Sequence, residues 1–429
     1  MAVADVVVIG AGVIGSSTAL ELHRAGFSVV VVDKAGGAGH GSSSASSAIV
    51  RFNYSTFDGV ATAWESRACW EAWHDHVGVE DPAGMASFVR TGMVMLDAPI
   101  LPREPIVDLF TAVGVPHELW DSEGLRAGVP GVDVGKHWPP KSIEDPAFFA
   151  DSTATVGGIY TPDAGYVDDP QLAAQNLAFA AASRGVDFRF RSTVAAVLQS
   201  GDRVSGVRLS DGTVISAPVV VNVGGPWSGA INDLAGVGPE FTVGVRPMRQ
   251  EVHQLPAPEG LLTTIIGDVD LGTYIRPTKG PFVLVGGTEP ECDPFEWIDD
   301  PERADPRPTR ARFEAQALRA ARRLPGLQVP NAPAGIAGVY DVADDWTPIY
   351  DRTDLDGYYV AMGTSGNQFK NAPMAGRFMA ALVSGVENGH DHDGTPLTHL
   401  CQHTGHSINL GAFSRKRPIN EHSSNTVMG

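Results

Sequence analysis

The sequence is poor in cysteine, in positive charge and in long apolar runs. Three cysteines in 429 residues, Cys69, Cys292 and Cys401, cannot build a disulfide framework and lie too far apart for a zinc motif. That usage favours a reducing compartment, and a cytoplasmic protein is expected. Lys and Arg total 31 against 50 Asp and Glu, a formal charge of −19. A field of that sign repels phosphate backbones and anionic lipid, so neither nucleic acid nor a membrane surface is an expected partner. It does not exclude a small anion, which one local Arg or Lys can hold. No apolar run reaches ~18 residues, so membrane insertion is not expected. The first apolar stretch, Val6 to Ile9, lacks a basic leader and runs into glycines, unlike a signal peptide. A second glycine fingerprint, which a nicotinamide cofactor would need, is also missing.

What the sequence does contain begins at its N-terminus. Val6 to Ile9 is a β-branched run suited to a strand buried on both faces. It leads directly into Gly10-Ala11-Gly12-Val13-Ile14-Gly15, then a helical stretch that Gly26 stops, then a second buried strand, Val29 to Val32. This is the dinucleotide fingerprint in its required context. Gly10 permits the tight turn, Gly12 leaves room for a pyrophosphate, and Gly15 lets helix and strand approach. The amides around Val13 and Ile14, at the positive helix end, favour phosphate. Asp33, with Lys34 after it, ends the second strand where a carboxylate can accept from ribose hydroxyls. The unit alone does not separate NAD from FAD.

Two further segments share this α/β character. One spans a helix at 171–185, a hairpin turning at Asp211-Gly212, and the buried run Val219 to Val221 leading into Gly224-Gly225-Pro226-Trp227. The other is a strand at Tyr358 to Ala361, a polar glycine loop over 363–371 and a helix over 373–384. The expected organisation is a discontinuous dinucleotide-binding domain over 1–81, 151–239 and 331–390. A second domain over 82–150 and 240–330 interrupts it, and 391–429 reads as a polar tail that frays.

Five segments, in order, carry a family resemblance. They are residues 6–34; SSSASSAIVRFNY at 42–54; VVVNVGGPWSG at 219–229; RPMRQEV at 246–252; and TSGNQFKNAP at 364–373. Together they resemble the D-amino-acid oxidase superfamily of FAD-dependent oxidoreductases, most closely its glycine/sarcosine oxidase and sarcosine/dimethylglycine dehydrogenase branch. The resemblance covers about residues 1–390. It implies an α/β, Rossmann-like FAD-binding domain (GR2-type) interleaved with an α+β substrate domain on a mostly antiparallel sheet. It also implies an enzyme that oxidises the C–N bond of a small amino acid or N-methyl amine acid by hydride transfer to flavin, giving an imine that hydrolyses.

By position, the resemblance assigns Arg51 and Lys370 to a substrate carboxylate, which suits an arginine fork and a lysine point charge. Tyr274 and Arg276 fall in the strand that lines the substrate pocket. Ser42, Ser43, Ser44, Ser47 and Ala48 fall under the flavin, and Val194 falls at the adenine. Gly224, Gly225, Trp227, Gly338, Gly363, Ser365, Gly366, Asn367, Gln368, Phe369 and Lys370 complete the expected cofactor set. The implied partners are a small carboxylated amine and O2 or another electron acceptor, in a homo-oligomer or as a subunit of a hetero-oligomer.

The sequence departs from the family at four positions. Gly338 stands where covalent members carry a cysteine, so non-covalent FAD is expected. Leu284 and Val285 stand where the oxidases place a lysine over the flavin, with only Lys279 nearby. Gly366-Asn367-Gln368 replaces Gly-His-Gly, and Ala48 replaces a second arginine. Two rivals remain open. One is a dehydrogenase of a 2-hydroxy acid or polyol phosphate, with His253 as the base such hydroxyl chemistry needs. The other is an electron-transferring FAD subunit of a larger complex. The tail histidines His399, His403 and His406 with Cys401, and the tryptophans Trp64, Trp70 and Trp73, read as a polar tail and as core rather than as sites; no metal site is expected.

Overall fold

A computed structural model describes residues 2–429. The N-terminal fingerprint sits at the centre of a six-stranded sheet. Its order is Asp187–Arg189, Val29–Val32, Val6–Ile9, Val219–Asn222, Tyr358–Met362 and Ile349–Arg352. The first five strands are parallel and the last is an antiparallel edge. Three of the central strands are runs of valine broken by at most one other residue, Ile9 or Asn222, and every residue in them is buried. Strands with no solvent face need no polar alternation, which explains their near-continuous apolar sequence. The helix Val13–Arg24 covers one face, packed between the helices Pro170–Ala182 and Ala372–Glu387. Parallel strands set side by side in this way leave their C-terminal ends facing a common crevice, where ligands of such sheets bind.

A nine-stranded sheet stands against this unit. It runs Glu296–Trp297, Val245–Pro256, Phe282–Gly287, Thr273–Pro277, Ile265–Asp268, Met93–Leu96, Gly158–Thr161 and Glu118–Trp120, with Gly335–Ala343 also paired to Val245–Pro256. All pairings are antiparallel except Ile265–Asp268 with Met93–Leu96. Two of its strands, Gly158–Thr161 and Gly335–Ala343, come from segments that the sequence division gives to the dinucleotide domain. Hydrogen bonding to Met93–Leu96 and Val245–Pro256 draws them across, because an edge left open there would expose unpaired backbone groups. Arg323 fastens residues 133–135 to this sheet. Its buried guanidinium pairs with Asp268 at 2.6 Å and Asp270 at 2.9 Å and donates to the carbonyls of Asp133 and Gly135.

The expectation of a fraying tail is wrong. Thr398–Leu400 and Ser407–Asn409 form a hairpin, and Ile408, Leu410 and Phe413 are buried. Beyond it Arg415, fully buried, pairs with Asp351 at 3.0 Å, Asp354 at 2.6 Å and Asp393 at 2.9 Å. Arg417 pairs with Asp345 at 2.8 Å. The tail is ordered by charge pairing to distant carboxylates, and apolar periodicity carries no trace of that. The tail histidines do not converge. Among the described residues no group of three or more His, Cys, Asp or Glu is arranged to hold a metal ion, and no helix is long and apolar enough to cross a membrane.

Candidate active site

A cavity of about 470 Å³ opens at the C-terminal ends of the central strands. Its floor is the fingerprint. Gly10 has φ +111°, and a Cβ there would stand 2.3 Å from the Val223 carbonyl oxygen. A Cβ on Gly15 would stand 2.1 Å from the oxygen of Gly10, so helix and turn meet at a distance only glycine allows. Gly12 faces the cavity and begins the Val13–Arg24 helix with no side-chain cap, which leaves the helix's positive end to a ligand. The Val13 amide donates to Ser43 Oγ at 3.0 Å. Asp33 accepts from the amides of Ala11 at 2.6 Å and Ala35 at 2.7 Å, which fixes its carboxylate at the strand end. Lys34 lies 3.5 Å over the Trp227 ring and pairs with Glu302 at the rim. Two buried polar atoms of lining residues, Trp227 Nε1 and Asp341 Oδ2, have no partner within the described residues.

A second, much smaller cavity of about 40 Å³ adjoins the first. Ser46, Ser47, Tyr340, Gly366 and Phe369 line both, so the two share a wall. Arg51, Tyr274, Asn367 and Lys370 belong to the smaller one. Arg51 and Lys370 are each at most 5% exposed, and neither forms an ion pair among the described residues. Arg51 donates to the carbonyls of Asn53, Val427 and Met428; Lys370 donates to the Asn367 carbonyl at 2.5 Å. Burial holds the Lys370 ammonium well below its ordinary range, and the neighbouring Arg51 charge pushes it further down. Burial also lowers Arg51, and it pushes the Tyr274 phenol up to about 12. Two basic side chains without an anionic partner in a low-dielectric pocket favour an anion that enters it, because its charge restores the protonated forms that burial disfavours.

The residues framing this pocket are braced from behind. Trp70 donates from its indole to the Lys370 carbonyl at 2.6 Å and stacks on Phe369 and Trp73, so the tryptophans are core and also support the Phe369–Asn371 turn. The Gln368 amide is turned into the protein. It donates to Tyr54 Oη and Asn367 Oδ1 and accepts from Tyr350 and Asn371, so its side chain tightens the loop from within.

The DAO family model, described as FAD dependent oxidoreductase, matches residues 5–382. The chain belongs to this family. Glycine oxidase of Geobacillus kaustophilus is 27% identical over 396 residues, covering 90% of this chain and 94% of the relative. Sarcosine oxidase subunit beta of an Arthrobacter species is 24% identical, covering 89% and 87%. The solved structure of L-proline dehydrogenase from P. horikoshii superposes with a TM-score of 0.73 at 23% identity, over 89% of this chain and 94% of that one, and shares the fold.

As a DAO-family chain, the protein is an FAD-dependent amino-acid oxidoreductase. The larger cavity fits its cofactor: a turn that only glycine can build, a helix terminus with a glycine N-cap facing the cavity for phosphate, and a fixed carboxylate for ribose. Of the residues expected from sequence to meet FAD, Gly10, Gly12, Val13, Ile14, Gly15, Asp33 and Lys34 line this cavity. So do Ser42, Ser43, Ser47, Val194, Gly224, Gly225, Trp227, Gly366, Gln368 and Phe369.

Others are displaced. Ser44, Ala48, Gly338, Gly363 and Ser365 line neither cavity. Ser365 instead braces the loop by accepting from the Ala343 amide and donating to the Gly363 carbonyl. Gly338 abuts Ala45, where a Cβ would come within 2.7 Å. Arg276 also lies outside both cavities. It stacks over Tyr166 at 3.9 Å and donates to the Pro277 carbonyl. Lys279 reaches outward to Asp168 at 2.5 Å rather than toward the flavin side.

The sequence reading missed Tyr340, which separates the two cavities, together with Glu289, Val427 and Met428. Burial pushes the Glu289 carboxyl up to about 8, and its Oε2 accepts from the Val427 amide at 2.8 Å. Nothing local in the sequence around Glu289 or Val427 marks them, because they meet from loop segments 138 residues apart in the chain.

Proposed function

We propose that the protein oxidises the C–N bond of a small carboxylated amine, with Arg51 and Lys370 holding the carboxylate beside a non-covalent FAD. The observation that carries this reading is the pair of buried basic side chains without carboxylate partners, in a pocket that shares a wall with the FAD cavity. Bound FAD supplies the hydride acceptor. The protein supplies position. The Arg51 fork matches a carboxylate's two oxygens, and Lys370 adds a second charge in a site from which water is largely excluded. Tyr274 and Tyr340, whose phenols burial keeps protonated, wall the space where the reacting carbon lies. No strong base is required, because an amine entering as its neutral form loses hydride without first losing a proton from oxygen.

The hydroxy-acid alternative is disfavoured by the position of His253. That residue is fully buried in the large sheet, within 3.0 Å of Glu251 and 2.8 Å of Gln316, and lines neither cavity. A subunit role is the second reading, favoured by the likeness to a sarcosine oxidase beta subunit. Gel filtration combined with turnover by the isolated chain separates the two. The primary test is anaerobic flavin bleaching across a panel of amino acids, N-methyl amino acids and 2-hydroxy acids, followed by turnover with a dye acceptor. Bleaching by amines bearing a carboxylate, and not by their decarboxylated or hydroxyl counterparts, is expected. Bleaching by 2-hydroxy acids alone overturns the proposal.

A further inference from the structure

The segment Thr426–Gly429 occupies the smaller pocket. Val427 is held at both ends of its own backbone: its N–H donates to Glu289 Oε2 at 2.8 Å, and its carbonyl accepts from Arg51 Nη2. The Met428 carbonyl accepts from Arg51 Nη1 at 2.8 Å. Gly429 packs on the Tyr54 ring, where a Cβ would lie within 2.8 Å, and that same ring faces both Arg51 and Lys370. With the segment in place about 40 Å³ remains, room for about one water molecule. Glu289 is buried and keeps a left-handed backbone, φ 51°, uncommon for a residue with a side chain.

We propose that residues 426–429 are an intramolecular ligand of the substrate pocket, with Val427 lying between Glu289 and Arg51 as an α-amino acid would, so that substrate binds only in competition with the segment. The inference rests on the reading of Arg51 as the carboxylate anchor. Its basis is a match of frames. An α-amino acid carries its nitrogen and its carboxyl on one carbon, and so does every residue of a chain. A glutamate and an arginine that grip the N–H and C=O of one residue therefore stand at the spacing that suits an amino acid's amine and carboxylate. Glu289 thereby gains a role as the partner of the substrate amine. The exchange is favourable for substrate at Arg51, since a carboxylate brings a full opposite charge and two oxygens matched to the guanidinium fork, which a neutral carbonyl lacks. The segment's compensation is its tether, which keeps it at a high local concentration.

Amide hydrogen exchange and probe binding on the FAD-loaded protein test this together. In the full chain, the amides of residues 427–428 should be protected, and saturating glycine should remove that protection. A chain ending at Asn425 should bind glycine and acetate at least tenfold more tightly, read from perturbation of the flavin absorbance. Val427→Pro, which deletes the N–H donated to Glu289, should fall between the two. Within the shortened chain, Glu289→Gln should weaken glycine binding and leave acetate binding unchanged. Fast exchange at 427–428 without probe, or shortening that leaves probe affinity unchanged or weaker, overturns the proposal. If Arg51→Ala in the shortened chain leaves acetate binding intact, or if neither probe perturbs the flavin there, the carboxylate-anchor reading itself fails. Acetate binding that depends on Arg51 but does not respond to shortening sinks the competition alone.

Discussion

Arg51 and Lys370 face one aromatic ring: the guanidinium carbon lies 5.5 Å and the ammonium nitrogen 4.8 Å from the centroid of Tyr54. The ring's negative face moderates two like charges that burial would otherwise force apart. The Tyr54 hydroxyl, tied to Asn367, Gln368 and Asn371, holds the ring in place. The pair is thus set before any anion arrives. Replacing Arg51 by Ala should cost about 2–5 kcal/mol in apparent binding of a carboxylated substrate, with flavin content near that of the parent. Steady-state kinetics and flavin absorbance per protein check this, and unchanged kinetics on an identified carboxylated substrate refute the role.

Flavin should be released entirely by acid precipitation. Gly338 offers no thiol, and Cys69, Cys292 and Cys401 line neither cavity. Yellow colour left on the washed pellet contradicts this.

Reoxidation in air should be slow compared with turnover by the best dye acceptor. One-electron reduction of oxygen makes an anion, and a fixed positive charge nearby stabilises it. Leu284 and Val285 supply none; Lys279 is tied to Asp168 at the surface and Arg276 is stacked on Tyr166. Stopped-flow mixing of the reduced protein with aerated buffer measures the rate, and reoxidation as fast as dye turnover shows an oxidase.

Glu289 should make folding stability fall as pH rises. Its folded pKa of about 8 lies above the ordinary carboxyl value of 4.5, so the folded chain holds the proton that the unfolded chain has already released. The stabilisation is complete below about pH 4.5 and is lost as pH climbs through 8. Melting temperatures measured from pH 5 to 9 should therefore decline less in Glu289→Gln than in the parent. Parallel declines would show that Glu289 titrates normally.

The sequence disclosed the parts of this site that are built locally. Gly10, Gly12, Gly15 and Asp33 lie within one strand–turn–helix–strand unit, where each residue's task follows from its neighbours. Arg51 and Lys370 became legible only through five ordered segments that resemble a known family. Glu289 and Val427 were invisible because neither belongs to a periodic or motif-bearing stretch. Their meeting is arranged by Arg415 and Arg417, which secure a polar tail through carboxylates more than 60 residues earlier in the case of Asp351, Asp354 and Asp345. Composition alone cannot distinguish such a tail from a solvated one. Arg276 is the opposite case: a family position lined it up with the pocket, while in the structure it stacks on the ring of Tyr166.

The central sheet joins strands made at very different times. Val6–Ile9 leaves the ribosome first, its neighbour Val219–Asn222 follows some two hundred residues later, and the loop bearing Phe369 comes later still. At synthesis rates of about 5–20 residues per second, the fingerprint waits roughly 20–70 s for the rest of its cavity. For the first part of that interval, until Val219–Asn222 is made, a fully apolar strand lacks one of its two neighbours in the sheet. Completion of the cofactor cavity is therefore a late event in the synthesis of each molecule.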